Sequence, residues 1–141
     1  MISGQLFLRV LERLGFSTLS GVPCSYLTPL FRLMEQNVSS INYAPAVNEG
    51  DAVALAAGVT LGGGLGIAVM QNSGLGNAVS PLTSLVKTFN IPVLLIITLR
   101  GDPEGTGDEP QHELMGKITT DLLSLMSIRW EICSADLTEV A

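Results

Sequence analysis

Positive charge is scarce in this chain, with seven Lys and Arg against thirteen Asp and Glu and a formal net charge of −6. The few cations are scattered and form no basic stripe, so nucleic acid is not an expected partner. Long apolar runs are also missing. The run at residues 93–97, like every other, falls far short of the ~20 residues a membrane-spanning helix needs. Near the start, Arg9 and Arg13 lie inside an amphipathic helical pattern, not in the order of a signal peptide. No membrane partner is expected. The two cysteines, Cys24 and Cys133, make neither a disulfide framework nor a metal-site spacing, and a reducing cytoplasm is the expected compartment. His112, the single histidine, has no companion with metal-ligand spacing, so no metal ligand is assigned on this chain. Nucleotide signatures fail as well. Gly74-Leu75-Gly76 opens like a dinucleotide fingerprint, but Val79 stands where the third glycine belongs, and there is no Walker A lysine.

What remains is an apolar chain, 47% hydrophobic and only 14% charged, with a mean hydropathy of +0.44. Its 141 residues fit one domain, 1–141, large enough to bury a core without staples. So apolar a composition leads us to expect a surface partly covered by a partner. Helical and strand periods alternate. Helices are predicted from a Ser3 cap to Gly15, over 26–36, from Asn48 to the Gly62-Gly63-Gly64 turn, over 75–88 with Pro81 as a kink or break, and over 117–126. Strands are predicted at 18–22, 41–44, 66–70, 92–98 and 129–133, and a further capped start at Ser134 or Asp136. The stretch 100–116 reads as a long polar loop. Met70, Met115 and Met126 read as core filler. This alternation predicts an α/β fold with a doubly wound, mostly parallel sheet and helices on both faces. Ligands in such sheets gather at the carboxyl ends of the strands.

The segment from Ala46 to Gly58 organises the whole. Asn48 is a suitable N-cap, and Glu49 and Asp51 suit the positive end of a helix dipole. Behind them come Ala52, Ala54, Ala56, Ala57 and Gly58, small enough for a backbone or flat ligand to approach closely. The other strand ends carry Gly21-Val22-Pro23-Cys24-Ser25, Gln71-Asn72-Ser73-Gly74, and Arg100 with the acidic loop to His112. Cys24 and His112 could imitate a thiol nucleophile and its base, but no third residue orients them. Asn72 and Ser73 have an ordinary role open to them, ending a strand and capping a helix, beside a role in lining a cleft. Arg100 can pair with Asp102 or Glu104, or meet an anion.

Four blocks carry a resemblance. Gly21 to Ser25, Asn48 to Gly58, Met70-Gln71-Asn72-Ser73-Gly74-Leu75-Gly76-Asn77, and Asp108-Glu109-Pro110-Gln111-His112 together resemble the pyrimidine-binding domain of thiamine-diphosphate enzymes. They are most similar to the phosphonopyruvate and sulfopyruvate decarboxylase family. The resemblance implies that Glu49 bonds a ring nitrogen of the cofactor's aminopyrimidine and acts as a catalytic residue. It implies cofactor contacts from Asn72, Ser73 and Gly74, proton transfer or polar contact by His112 and Glu109, and substrate contacts from Cys24, Ser25, Glu109 and Arg100. Its reaction would turn phosphonopyruvate, a small 2-oxo acid, into phosphonoacetaldehyde and carbon dioxide. The alternatives are an alpha-type subunit of sulfopyruvate decarboxylase and a non-catalytic binding or assembly domain of the same fold. Some family members carry aspartate where this chain has Cys24, and a neutral thiol cannot act as a carboxylate. The family's Gly-Asp-Gly and downstream asparagine, which hold Mg2+ and the diphosphate, are missing: Gly50-Asp51-Ala52 lacks the second glycine, and no asparagine follows Asn90. A complementary diphosphate-binding domain or subunit is therefore expected, as is a homo-oligomer. Ala52, Ala56 and Gly58 are expected to let a neighbouring element approach.

Overall fold

Four short parallel strands form the frame in a computed structural model that describes residues 3–133. They are β1 (Thr18–Gly21), β2 (Asn42–Pro45), β3 (Gly66–Gln71) and β4 (Val93–Thr98), in the order β2-β1-β3-β4. The chain leaves β1 for β2 on one side and then returns to the other side as β3. This reversal places the topological switch point between β1 and β3, and in doubly wound sheets ligands bind at the carboxyl ends of the strands there. In register, Gly21 pairs with Pro45 and with Val69, and Gln71 pairs with Thr98, so the carboxyl ends lie at one edge. A side chain at Gly21 would run into the carbonyl of Val69, which keeps that crossing tight.

Alternate residues of the strands serve two cores, as the pleat requires. Helices α1 (Gly4–Arg13) and α2 (Thr28–Glu35) bring Leu8, Leu11, Leu30, Phe31 and Met34 against Leu19, Ile67 and Val69. On the opposite face α3 (Glu49–Leu61), α4 (Leu75–Pro81) and α5 (Glu113–Leu125) pack around Ala68 and Met70. Ala52 and Ala56 of α3 are fully buried there, and a Cβ on Gly66 of β3 would overlap the backbone of Ala56. The small residues of α3 thus let the helix lie on its own sheet. This corrects the expectation that Ala52 and Ala56 leave room for a partner; Gly58, with nothing within 4 Å of its Cβ position, faces outward.

Other expectations shift in detail. Ser3 occupies the N-cap position of α1 but makes no side-chain cap bond. The helix predicted over 75–88 splits at Pro81: α4 ends there, and residues Leu82–Lys87 wind as a wider π-helical turn. Pro81 has no N–H to give to the carbonyl one turn back, and in the turn after it hydroxyls of Thr83 and Ser84 bond the carbonyls of Val79 and Ser80. The polar loop is shorter than predicted, because a 3-10 turn at Pro110–His112 runs directly into α5. Gly116 lies inside α5, not at the end of the loop, because the backbone of Gly101 crosses it where any side chain would stand. The strand predicted over 129–133 forms no ladder. Its residues are mostly exposed, and local bonds hold them: Arg129 pairs with Glu131, and the Trp130 indole donates to Ser124. The capped start at Ser134 or Asp136 lies outside the described residues. No helix among the described residues is long and apolar enough to cross a membrane.

Candidate functional site

Two polar clusters stand at the carboxyl edge of the sheet, joined by the 3-10 turn Asn72–Gly74 that follows β3. The first belongs to the start of α3. Asn48 caps the helix through its side-chain oxygen, which accepts from the N–H of Asp51 at 3.0 Å. Its amide donates in turn to the Asp51 carboxylate at 2.7 Å. Glu49, the first helical residue, is thereby aimed at the turn after β3. Its side chain lies across Gly74 so closely that a Cβ there would overlap the carboxylate. Oε2 of Glu49 accepts a 2.8 Å hydrogen bond from the amide of Asn77. Among the described residues no hydrogen bond is made to Oε1. The result is a half-buried carboxylate at the positive end of a helix, with Oε2 held by Asn77 and Oε1 packed against Gly74.

The second cluster centres on Asp108. Its carboxylate receives Arg100 twice, Nε at 2.7 Å and Nη2 at 2.5 Å. It also receives the backbone N–H groups of Gly101 at 3.0 Å and Glu109 at 2.8 Å. The ring Nδ1 of His112 lies 3.2 Å away. Arg100, foremost by its hydrogen bond, then the two backbone N–H groups and His112, hold the Asp108 carboxyl well below the usual carboxylate range, against the opposing effect of burial. The same pair keeps the Arg100 guanidinium above its already high range. Arg100 therefore pairs with Asp108, not with Asp102 or Glu104 as the sequence suggested. Its Nη1 turns to the hydroxyl of Ser25 at 3.2 Å, and its guanidinium covers the ring of Tyr26 at 4.4 Å. Cys24 approaches the hydroxyl of Thr98 at the end of β4, 3.8 Å away, and makes no contact with His112 that would suit a thiol and its base.

Asn72 ties this second cluster to the sheet. It is fully buried, and its amide donates to the carbonyl of Arg100 at 2.8 Å and to Thr119 at 3.2 Å while its oxygen accepts from the Arg100 N–H at 3.2 Å. The side chain thus acts as a strut between β3, the loop and α5. Ser73 is exposed and receives a bond from Gln71 at 2.6 Å. The Glu109 side chain is exposed, and no bond ties it to either cluster.

The structure therefore brings Arg100, Ser25 and His112 together through Asp108, and separately sets Glu49 against Gly74. No hydrogen bond or ion pair joins Glu49 to His112. Three participants escaped the reading of single residues. Asp108 was legible as an acid four positions before a histidine, with a proline between to start a turn. Asn77 lies one helical step beyond Gly74. Tyr26 carries no sequence signal for its place under Arg100.

An aminopyrimidine-binding role fits these residues: a carboxylate with one oxygen not hydrogen-bonded among the described residues can bond a ring nitrogen, and Gly74 leaves the room in which that carboxylate sits. Among the described residues, no group of three or more His, Cys, Asp or Glu is arranged to hold a metal ion. Residues 1–122 match the family described as thiamine pyrophosphate enzyme, N-terminal TPP binding domain. Phosphonopyruvate decarboxylases of Streptomyces viridochromogenes and Streptomyces hygroscopicus are each 50% identical over 132 residues, 94% of this chain. The chain spans about a third of their length, 33% and 32%. The sulfopyruvate decarboxylase alpha subunit of Methanothermobacter thermautotrophicus is 34% identical over 114 residues, 81% of this chain and 67% of the relative. With the parallel sheet, the acid at the mouth of α3 and a match over most of its length, the chain belongs to the N-terminal TPP-binding domain family of thiamine pyrophosphate enzymes.

Proposed function

We propose that this chain is the pyrimidine-binding half of a thiamine-diphosphate-dependent 2-oxo acid decarboxylase, a carboxy-lyase that turns phosphonopyruvate into phosphonoacetaldehyde and carbon dioxide. The observation that carries the reading is Glu49, capped into place by Asn48, held by Asn77 on Oε2 and, among the described residues, not hydrogen-bonded on Oε1. The phosphonopyruvate decarboxylases at 50% identity support the choice of substrate.

When bound, thiamine diphosphate supplies the electron sink that lets a 2-oxo acid lose carbon dioxide. The chain's own residues orient and protonate. Glu49 bonds the pyrimidine nitrogen and moves the proton there, with Gly74 leaving room for its side chain. His112, nearly buried, holds or returns a proton over the substrate. The remaining edge of Arg100, with Ser25, meets the anionic phosphonate, and Cys24 flanks it as a neutral neighbour. Asn72 serves this site by fixing the Arg100 backbone. Glu109 and Ser73 stand at its rim.

Mg2+ and the diphosphate are assigned to a complementary domain or subunit. The missing Gly-Asp-Gly pattern and the span of about a third of the decarboxylases support this. The cytoplasm is the proposed compartment, and self-association the proposed state of the lone chain. Leu55, Gly58 and Leu61 on the outer side of α3 are exposed, and an obligate interface over them would bury roughly 2,000 Å² or more in total. Sedimentation at micromolar concentration is expected to give a dimer or larger species, and a monomer contradicts it.

A second reading has its own support: relatives named as sulfopyruvate decarboxylase alpha subunits, one of them covered over 67% of its length. Carbon dioxide release after mixing the chain with a diphosphate-binding partner, thiamine diphosphate and Mg2+ separates the two. Turnover of phosphonopyruvate that needs both chains supports the first reading. Turnover of sulfopyruvate alone supports the second. With no turnover of either substrate, the chain reads as a non-catalytic binding or assembly domain.

A further inference from the structure

We propose that Asp108 is a positioning residue for His112: its carboxylate holds the neutral imidazole as the Nδ1–H tautomer and leaves Nε2 as the nitrogen that accepts or returns a proton. The geometry admits one assignment of donor and acceptor. The other four contacts to this carboxylate all come from groups that can only donate, namely Arg100 Nε and Nη2 and the N–H groups of Gly101 and Glu109. An ion pair with a guanidinium inside a carboxylate side chain that is 9% exposed leaves Asp108 without a proton to give. The downward shift of its titration, caused first by Arg100, agrees. The 3.2 Å contact to Nδ1 therefore requires the proton to sit on the ring.

The ring has little alternative. Its side chain is 11% exposed, so Nδ1 cannot readily exchange Asp108 for water. Among the described residues nothing bonds Nε2. A histidine side chain in water favours the opposite tautomer, with the proton on Nε2, and the bond made by one ring nitrogen decides the state of the other. Asp108 reverses that preference before any substrate arrives. The same carboxylate occupies two of the three guanidinium nitrogens of Arg100, so a single side chain sets which nitrogen of the histidine and which edge of the arginine face outward.

The consequence for catalysis rests on the reading of His112 as the proton-transfer residue, but the tautomer is measurable without turnover. His112 is the only histidine, so long-range proton–nitrogen correlation on the full chain labelled with nitrogen-15 reports it without ambiguity. Above the titration of the ring, Nδ1 is expected at a protonated shift and Nε2 at an unprotonated one, by about tenfold or more, the scale of a hydrogen bond to a charged group. In Asp108→Ala the ratio is expected to fall toward that of a solvent-exposed histidine side chain or invert. A wild-type ring carrying its proton on Nε2, or an unchanged ratio in a folded Asp108→Ala chain, overturns the proposal. If Asp108→Ala does not fold, the wild-type spectrum alone decides. Full turnover in His112→Gln would remove His112 from the reaction and leave the tautomer assignment standing, so the two failures are distinguishable.

Discussion

Glu49 and His112 are both held by a second polar side chain, yet the two halves of the site are built differently. Glu49 is placed mainly by its own helix, with Gly74 and Asn77 from the segment after β3 beside it. Asn48 caps the helix one residue before it, the helix direction aims it, and a single glycine opposite makes room. His112 is placed by a carboxylate that also binds Arg100, and Arg100 is in turn held by Asn72, in the turn after β3, which also bonds Thr119 of α5. A site of the first kind fails at the residue that is changed. A site of the second kind is a network, and damage to any member spreads through the rest.

Substitutions can break or sharpen this contrast. The largest effect is expected at Glu49. Glu49→Gln in the assembled enzyme should lower turnover by about two orders of magnitude or more, the scale of a lost acid-base group, while the melting curve stays in place. Steady-state kinetics beside a thermal melt checks both halves of that statement, and near-normal turnover removes Glu49 from the mechanism. Gly116→Ala is expected to act in the opposite way. Its methyl group would overlap the backbone of Gly101, so about 2 kcal/mol of stability is expected to go through overpacking, read as a lowered urea midpoint. If stability holds, the loop and α5 are not locked together as described.

Removing the amide of Asn77 tests the Glu49 half again, at its one hydrogen bond from outside α3. Asn77→Ala loses one partly exposed bond to Glu49 Oε2, and turnover is expected to fall about tenfold, near the low end for a hydrogen bond to a charged group. Affinity for the 2-oxo acid should be unchanged; a change there would place Asn77 in the substrate cleft instead. The smallest effect is expected from Thr119→Val. The Asn72 amide keeps its bond to the Arg100 carbonyl and loses only the longer contact to Thr119. About 1 kcal/mol is expected, seen as a drop of a few degrees in Tm. No loss at all would show that the strut stands on the Arg100 backbone alone.

Legibility in the sequence divides along the same line. The parallel α/β architecture followed from the strand and helix periods, and the Asn48 cap and Glu49 followed from residues adjacent in the chain. The small face of α3 was legible as a stripe but not in its purpose. Alanine spacing shows that something comes close, and only the packed structure shows that Ala52 and Ala56 meet the protein's own sheet. Gly116 misled for a similar reason. Glycine ordinarily marks the end of a helix, and here it lies within one because another backbone passes over it.

The sequence alone determined what depends on neighbours along the chain: the order of helices and strands, the helix cap that aims Glu49, and the polar strand ends where a site must form. Tertiary structure decided what depends on groups far apart in sequence. Ser25 and Arg100, 75 positions apart, meet at one hydroxyl, and Asn72 reaches 47 positions to Thr119. Arg100 had several acids within reach on its own loop, and the folded loop gives it Asp108, whose carboxylate also receives the N–H groups of Gly101 and Glu109. Local propensity is set by each residue and its near neighbours, whereas a buried ion pair is chosen among competitors by the packing that removes the others from reach.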